Sequence, residues 1–197
     1  MMKTIANIQN IAWEFLKLNP EYKADYRSNA SRSKRINTPA SLTIHKQSSS
    51  DLSALKWGLF AYRCPSRLTS PFWSIAPTLE AEISSHGTPA LLPMLHNVGS
   101  TASGLLLLNG DLLLKIENPI SAIQVRIKDG LGFNDTSSLV LRLPLNDKLP
   151  SQLLHGLELF NAVTGQQAKK IAHATKRIMT NFLLSLNISL RALTIAR

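Results

Sequence analysis

Two apolar runs joined by Asn109-Gly110 constrain the fold more than any other stretch of this chain. Leu105-Leu106-Leu107-Leu108 precedes the pair, and Leu112-Leu113-Leu114-Lys115-Ile116 follows Asp111. Asn-Gly favours the left-handed dihedrals of a two-residue hairpin, so the runs are expected to be antiparallel strands. Residues 122–128 (AIQVRIK) alternate apolar and polar side chains with period two, as a half-buried strand does. Residues 138–143 (SLVLRL) supply a fourth strand, closed by Pro144. A small antiparallel sheet over residues 104–143 follows, with residues 129–136 as its last loop.

Helical periods flank this sheet. Over residues 5–18, Ile8, Ile11, Ala12, Phe15, Leu16 and Leu18 share a broad face. Asn19-Pro20 ends that helix, because the residue before proline is pushed out of the α region. Pro20 then opens a second helix, with Asn19 as its cap. Trp13, Tyr22 and Tyr26 can pack across this joint or, in a functional reading, offer a platform for a base. Residues 28–50 are rich in Ser, Asn, Thr, Lys and Arg without an apolar period, and read as a flexible basic linker. Residues 51–59 regain a turn of helix capped by Ser50 or Asp51. The rest of 51–100, with its prolines and aromatics, reads as an extended segment wrapped on a neighbour. Leu149-Pro150-Ser151 opens a helix to about Val163, with Leu153, Leu154, Leu157 and Phe160 as its stripe, and Thr164-Gly165 ends it.

Charge points to the partner. Residues 1–50 carry eight Lys/Arg against three Asp/Glu, residues 51–150 eight against eight, and residues 151–197 six against one. Basic ends around a neutral centre fit a polyanion, with nucleic acid the leading candidate. The run 166–197 sharpens this. Ile171, Ala172, Thr175, Ile178, Met179, Phe182, Leu183 and Leu186 fall on one helical face, and Lys169, Lys170, His173, Lys176 and Arg177 lie roughly opposite. After a break at Asn187-Ile188-Ser189, a short helix carrying Arg191 is expected. The candidate DNA contacts are therefore Lys169, Lys170, His173, Lys176, Arg177 and Arg191.

The sequence offers no catalytic constellation. The five histidines lie in separate segments without metal-ligand spacing, no glycine loop suits a phosphate, and Cys64-Pro65 carries no nucleophile signature. The expectation is a non-enzyme with no cofactor, no metal and no small-molecule substrate. A single cysteine allows no internal disulfide and suits a reducing cytoplasm. The N-terminus lacks the apolar core of a signal peptide, and Leu105–Leu114 is too short and interrupted to span a bilayer. The chain is expected to be soluble, cytoplasmic and without a membrane partner.

Trp13-Glu14-Phe15-Leu16, Asn19-Pro20-Glu21-Tyr22 and Asp25-Tyr26 resemble the WEFLRRNPxYxxDY start of proteobacterial transcriptional regulator-like proteins, a group common on integrative and conjugative elements. Trp57-Gly58-Leu59, Cys64-Pro65 and Phe72-Trp73 resemble that group's next landmarks. Asn109-Gly110, Leu143-Pro144-Leu145-Asn146 and Leu149-Pro150 are similar to its second module, a helix-turn-helix variant formerly of unknown function. By this resemblance, residues 189–193 are the first helix of a DNA-reading motif, and Arg197 precedes the turn and recognition helix that would follow. The resemblance implies a truncated or frameshifted product, or else a shifted motif whose reading helix is residues 166–184.

Together these readings predict an α+β chain: an N-terminal helical hairpin, a small antiparallel β-sheet and C-terminal helices forming a partial helix-turn-helix. The divisions are 1–27, a regulator-like helical module; 28–50, the basic linker; 51–100, the extended segment; and 101–197, the sheet with the helix-turn-helix-like part. The expected function is a DNA-associated regulator of a mobile element. The alternative is an interaction module, whose stripe Ile171–Leu186 docks on a related regulator or on a second copy.

Overall fold

The Asn109-Gly110 turn lies at the centre of a sheet larger than its local sequence implies. The computed structural model describes residues 5–30, 34–36, 42–84, 90–118, 122–143, 146 and 148–164. Among them are seven strands: β1 (Lys34–Ile36), β2 (Thr43–Lys46), β3 (Thr78–Ser84), β4 (Thr101–Leu106), β5 (Leu112–Glu117), β6 (Ala122–Ile127) and β7 (Ser138–Arg142). Their spatial order is β1-β2-β4-β5-β6-β3-β7. The predicted β4-β5-β6 meander is present and antiparallel. The expectation of a small antiparallel sheet is otherwise corrected. β2 joins β4 and β3 joins β6 in parallel, so the sheet is mixed, and β7 pairs with β3 rather than β6.

The central turn has three loop residues, not two. Leu107 N–H donates to the Asp111 carbonyl at 2.8 Å and Gly110 N–H to the Leu107 carbonyl at 3.1 Å. Only Gly110 takes a positive φ there, +90°. This is a turn closed by a glycine bulge, in which glycine alone carries the left-handed conformation. A second glycine is fixed by space. A Cβ on Gly130 would lie 2.1 Å from Leu112 Cβ and 2.7 Å from Leu112 N.

Among the described residues four α-helices accompany the sheet: α1 (Ile5–Leu16), α2 (Pro20–Asn29), α3 (Leu91–Asn97) and α4 (Leu149–Thr164). Asn19 caps α2 as its sequence implies, its Oδ1 accepting from the backbone of Glu21 and Tyr22. A 3-10 helix spans Ser49–Trp57, with Ser48 as the cap and Asp51 as the reciprocal partner three residues on. Residues 28–50, read as a linker, contain β1 and β2, and residues 51–100 contain β3 and α3. β1 is an edge strand, paired on one flank only, where a polar composition is tolerated, and β2 lies between it and β4.

Each face of the sheet carries its own core. Ile44, Gly104, Leu114, Val125 and Leu79 lie in register on one face. Leu91, Leu92 and Leu95 of α3 and Leu159 and Ala162 of α4 pack into the same cluster. On the other face, Leu105 and Leu113 pack with Phe60, Ala61 and Phe72. A run of five buried residues, Leu112 to Ile116, marks β5 as a strand covered on both sides. The apolar stripes of two helices are rotated from their predicted faces. Trp13, Ala12 and Leu16 of α1 turn inward while Ile11 and Phe15 are exposed, and α4 buries Leu159 and Ala162 while Leu154 and Phe160 are exposed.

Met1–Thr164 form one compact unit, and Gly165–Arg197 a second that lies outside the described residues. No helix among the described residues is long and apolar enough to cross a membrane.

Candidate functional site

The N-terminal helices reach the sheet through polar clamps. Trp13 and Tyr22 meet edge-on at a centroid distance of 5.9 Å, and Tyr22 meets Trp57 the same way at 5.7 Å. Both Trp13 and Tyr22 are fully buried, which settles their sequence alternatives in favour of core packing over a base platform. Trp13 Nε1 donates to the Arg67 carbonyl at 3.0 Å. The Tyr22 hydroxyl donates to the Arg63 carbonyl at 2.6 Å and accepts from the Arg63 amide at 3.0 Å. The 63–67 loop is thus held by the N-terminal helices. Gln124 of β6 grips the next stretch, donating to the Trp73 carbonyl and accepting from the Trp73 amide, both at 2.8 Å. Buried Asp51 accepts from the Ser48 amide at 2.9 Å and the Tyr62 amide at 3.1 Å.

These clamps hold one wall of a cleft of about 340 Å³. The wall is residues 61–63 and 69–72, and the floor is Thr43 and His45 of β2, Thr101 and Ser103 of β4, and Lys115 and Glu117 of β5. Lys115 is the unusual member, a lysine with a side chain 3% exposed in a central strand. Its Nζ donates to the Ser70 carbonyl, lies 3.1 Å from Glu117 Oε1 and sits 5.6 Å over the Phe72 ring. Burial lowers the pKa of this ammonium, and Glu117 opposes the shift. Arg63 donates through a terminal nitrogen to Thr69 Oγ1, while its Nε is buried with no hydrogen-bond partner among the described residues. Burial, and then the neighbouring Arg67 charge, lowers the Arg63 pKa as well. Cys64, next in sequence, lies 3.1 Å from Ser66 Oγ, and hydrogen bonds from Ser66 and Tyr26 hold its thiol below the usual range.

The β1–β2 pair forms one edge of the sheet. Lys34 stands opposite Lys46, and Arg35 opposite His45.

The sequence-predicted DNA contacts Lys169, Lys170, His173, Lys176, Arg177 and Arg191 all lie outside the described residues. The cleft residues Arg63, Lys115 and Glu117 were not anticipated. The signal for Lys115 was present: one cation inside an otherwise apolar strand run needs a buried partner. Arg63 gave no comparable signal, because its position depends on Tyr22, distant in sequence. No group of three or more His, Cys, Asp or Glu suited to a metal ion occurs among the described residues.

Residues 6–60 match the family model described as the proteobacterial transcriptional regulator-like domain. The match takes in α1 from its second residue, α2, β1, β2 and the 3-10 helix, and it supports that family for this segment. No curated protein matches the chain.

Proposed function

We propose that the protein is a DNA-associated transcriptional regulator-like protein of a mobile element. The observation that carries this reading is the match of residues 6–60 to a regulator-like domain. The charge distribution agrees with it: a neutral centre leaves a surplus of five Lys/Arg over Asp/Glu in each of the segments 1–50 and 151–197. In this reading Lys169, Lys170, Lys176 and Arg177 contact backbone phosphates, with His173 and Arg191 beside them. Phosphate contacts fix position without reading sequence. Binding therefore weakens steeply with salt, and the log–log slope falls by about one unit per cation removed. A fluorescence-anisotropy titration of a labelled duplex, comparing the parent with Lys176→Ala/Arg177→Ala, tests this. Unchanged affinity and slope in the double variant would remove these residues from the proposed interface.

A second reading makes the protein an interaction module docking on a related regulator. Exposed apolar side chains in the matched segment favour it, Phe15 at 74% and Leu18 at 67%. Light scattering on the isolated chain, and on its mixture with a regulator encoded nearby, distinguishes the two. A strict monomer that ignores such a regulator would leave the DNA reading alone.

A further inference from the structure

We infer that the cleft between the 61–72 loop and strands β2, β4 and β5 is a binding site for a small organic monocarboxylate, acting as an effector rather than a substrate. This goes beyond the DNA reading and stands independently of it. Among the Lys, Arg, Asp and Glu side chains that line the cleft, two cations, Arg63 and Lys115, face one carboxylate, Glu117, and Arg67 adds its charge beside Arg63. The two cations are close enough that the charge on Arg63 itself depresses Lys115. Burying positive charge without an anion is costly, and a buried donor left unpaired adds to that cost. Arg63 Nε is such a donor, closed to solvent and without a partner among the described residues, and an anion paired with the planar guanidinium offsets its burial.

The surroundings set the ligand's size and character. A volume of about 340 Å³ lies within the range of small-molecule sites and excludes a folded macromolecule. Duplex DNA has its phosphates on a wide convex surface, and the Lys115 ammonium, sealed under Ser70 and Phe72, lies too deep to reach one. Phe72, Leu105 and Ala61 give an apolar side for a compact hydrocarbon body, while Ser103 and Thr43 give hydroxyls. This apolar side favours an organic carboxylate over inorganic phosphate. The site is preorganised, because Tyr22 holds the Arg63 backbone on both its amide and its carbonyl.

The test is a titration of the full chain with sodium benzoate, read at the backbone amide resonances of positions 62, 63 and 103 in a nitrogen–proton correlation spectrum, which the parent and both variants share. Benzyl alcohol and inorganic phosphate at matched ionic strength are the control probes. Saturation with a dissociation constant in roughly the millimolar range is expected for so small a ligand, with no response to benzyl alcohol. Arg63→Lys keeps the charge but loses the fork, and weakens benzoate about tenfold. Ser103→Leu fills the floor with every charge in place, and abolishes saturation. The assignment is overturned by a linear, non-saturating response to benzoate, by tighter binding of phosphate, or by unchanged binding in a Ser103→Leu chain that keeps a dispersed backbone spectrum. Should that chain lose its dispersion, the Arg63→Lys comparison decides alone. Failure of DNA binding in the anisotropy titration leaves all these outcomes unaffected.

Discussion

Tyr22→Phe tests whether the N-terminal helices truly hold the cleft wall. The change removes one oxygen and little volume, so packing against Trp13 and Trp57 is kept. What it removes is the partner of two backbone groups, the Arg63 carbonyl at 2.6 Å and the Arg63 amide at 3.0 Å. A buried group orphaned this way costs about 1–3 kcal/mol. Arg63 is only partly buried, so the low end applies to each, and the loss is about 2–3 kcal/mol at neutral pH.

The pH dependence supplies an independent sign. Burial raises the Tyr22 phenol well above its ordinary value, so the folded chain keeps the proton after the unfolded chain has lost it. The contribution of Tyr22 is fully present below a pH of about 10 and is lost as pH rises toward the folded value, at up to about 1.4 kcal/mol per pH unit. Phenylalanine has no such proton, so the stability gap between parent and variant narrows above pH 10. The raised phenol of Tyr26 is common to both chains and cancels in the difference. Urea unfolding followed by tryptophan fluorescence suits the purpose, since Trp13, Trp57 and Trp73 all belong to the layer concerned. A variant within about 0.5 kcal/mol of the parent, or a gap that stays constant from pH 7 to 11, would refute the clamp.

Three further outcomes follow from the same structure. Gln124→Met strands both the amide and the carbonyl of Trp73 in a buried setting and should cost about 2–5 kcal/mol in urea unfolding, with faster hydrogen exchange at Trp73. Gly130→Ala places a Cβ against the backbone of Leu112, which cannot turn aside as a side-chain tip would, and should lower stability by about 3 kcal/mol without changing net charge. Burial alone would raise the Asp111 pKa, but hydrogen bonds from Arg126 and Asn109 hold it below the usual range. Its contribution is therefore present above the unfolded value of about 3.9 and lost as pH falls through the folded one. Arg126→Met should move the acid unfolding midpoint to higher pH, as circular dichroism would register.

What the sequence disclosed depended on how local each cause was. The hairpin strands, the Asn19 cap and the helix from Leu149 follow from residues within a few positions of one another, and each was legible. β3 was missed although Leu79, Ala81 and Ile83 alternate with Glu80 and Glu82, because the neighbouring prolines suggested an extended segment without partners. β1 and β2 were hidden more deeply. Their polar residues carry no period, and only pairing, of β2 with β4 and of β1 with β2, makes them strands. The rotated stripes of α1 and α4 show a related limit. Apolar spacing defines an arc of a helix, while the choice of inward residues within it is made by the partner: Trp13 turns in because Tyr22 and the Arg67 carbonyl await it.

The cleft is the furthest extension of that logic, since the placing of its cations depends on residues distant in the chain. Lys115 is tolerated in β5 because Ser70 and Phe72 close over it from the 69–72 stretch and Glu117, two residues on in the same strand, pairs with it. Arg63 is placed by a tyrosine of the segment that matches the regulator-like domain. A ligand that pairs with Arg63 acts on the same loop that Tyr22 grips. The two interactions therefore stabilise one arrangement of that loop, and are coupled to the extent that either orders it for the other. Tyr22→Phe should then weaken benzoate even though its ring lies outside the cleft. Unaltered benzoate affinity in a folded Tyr22→Phe chain would mean that the loop is held by Gln124 and Asp51 alone.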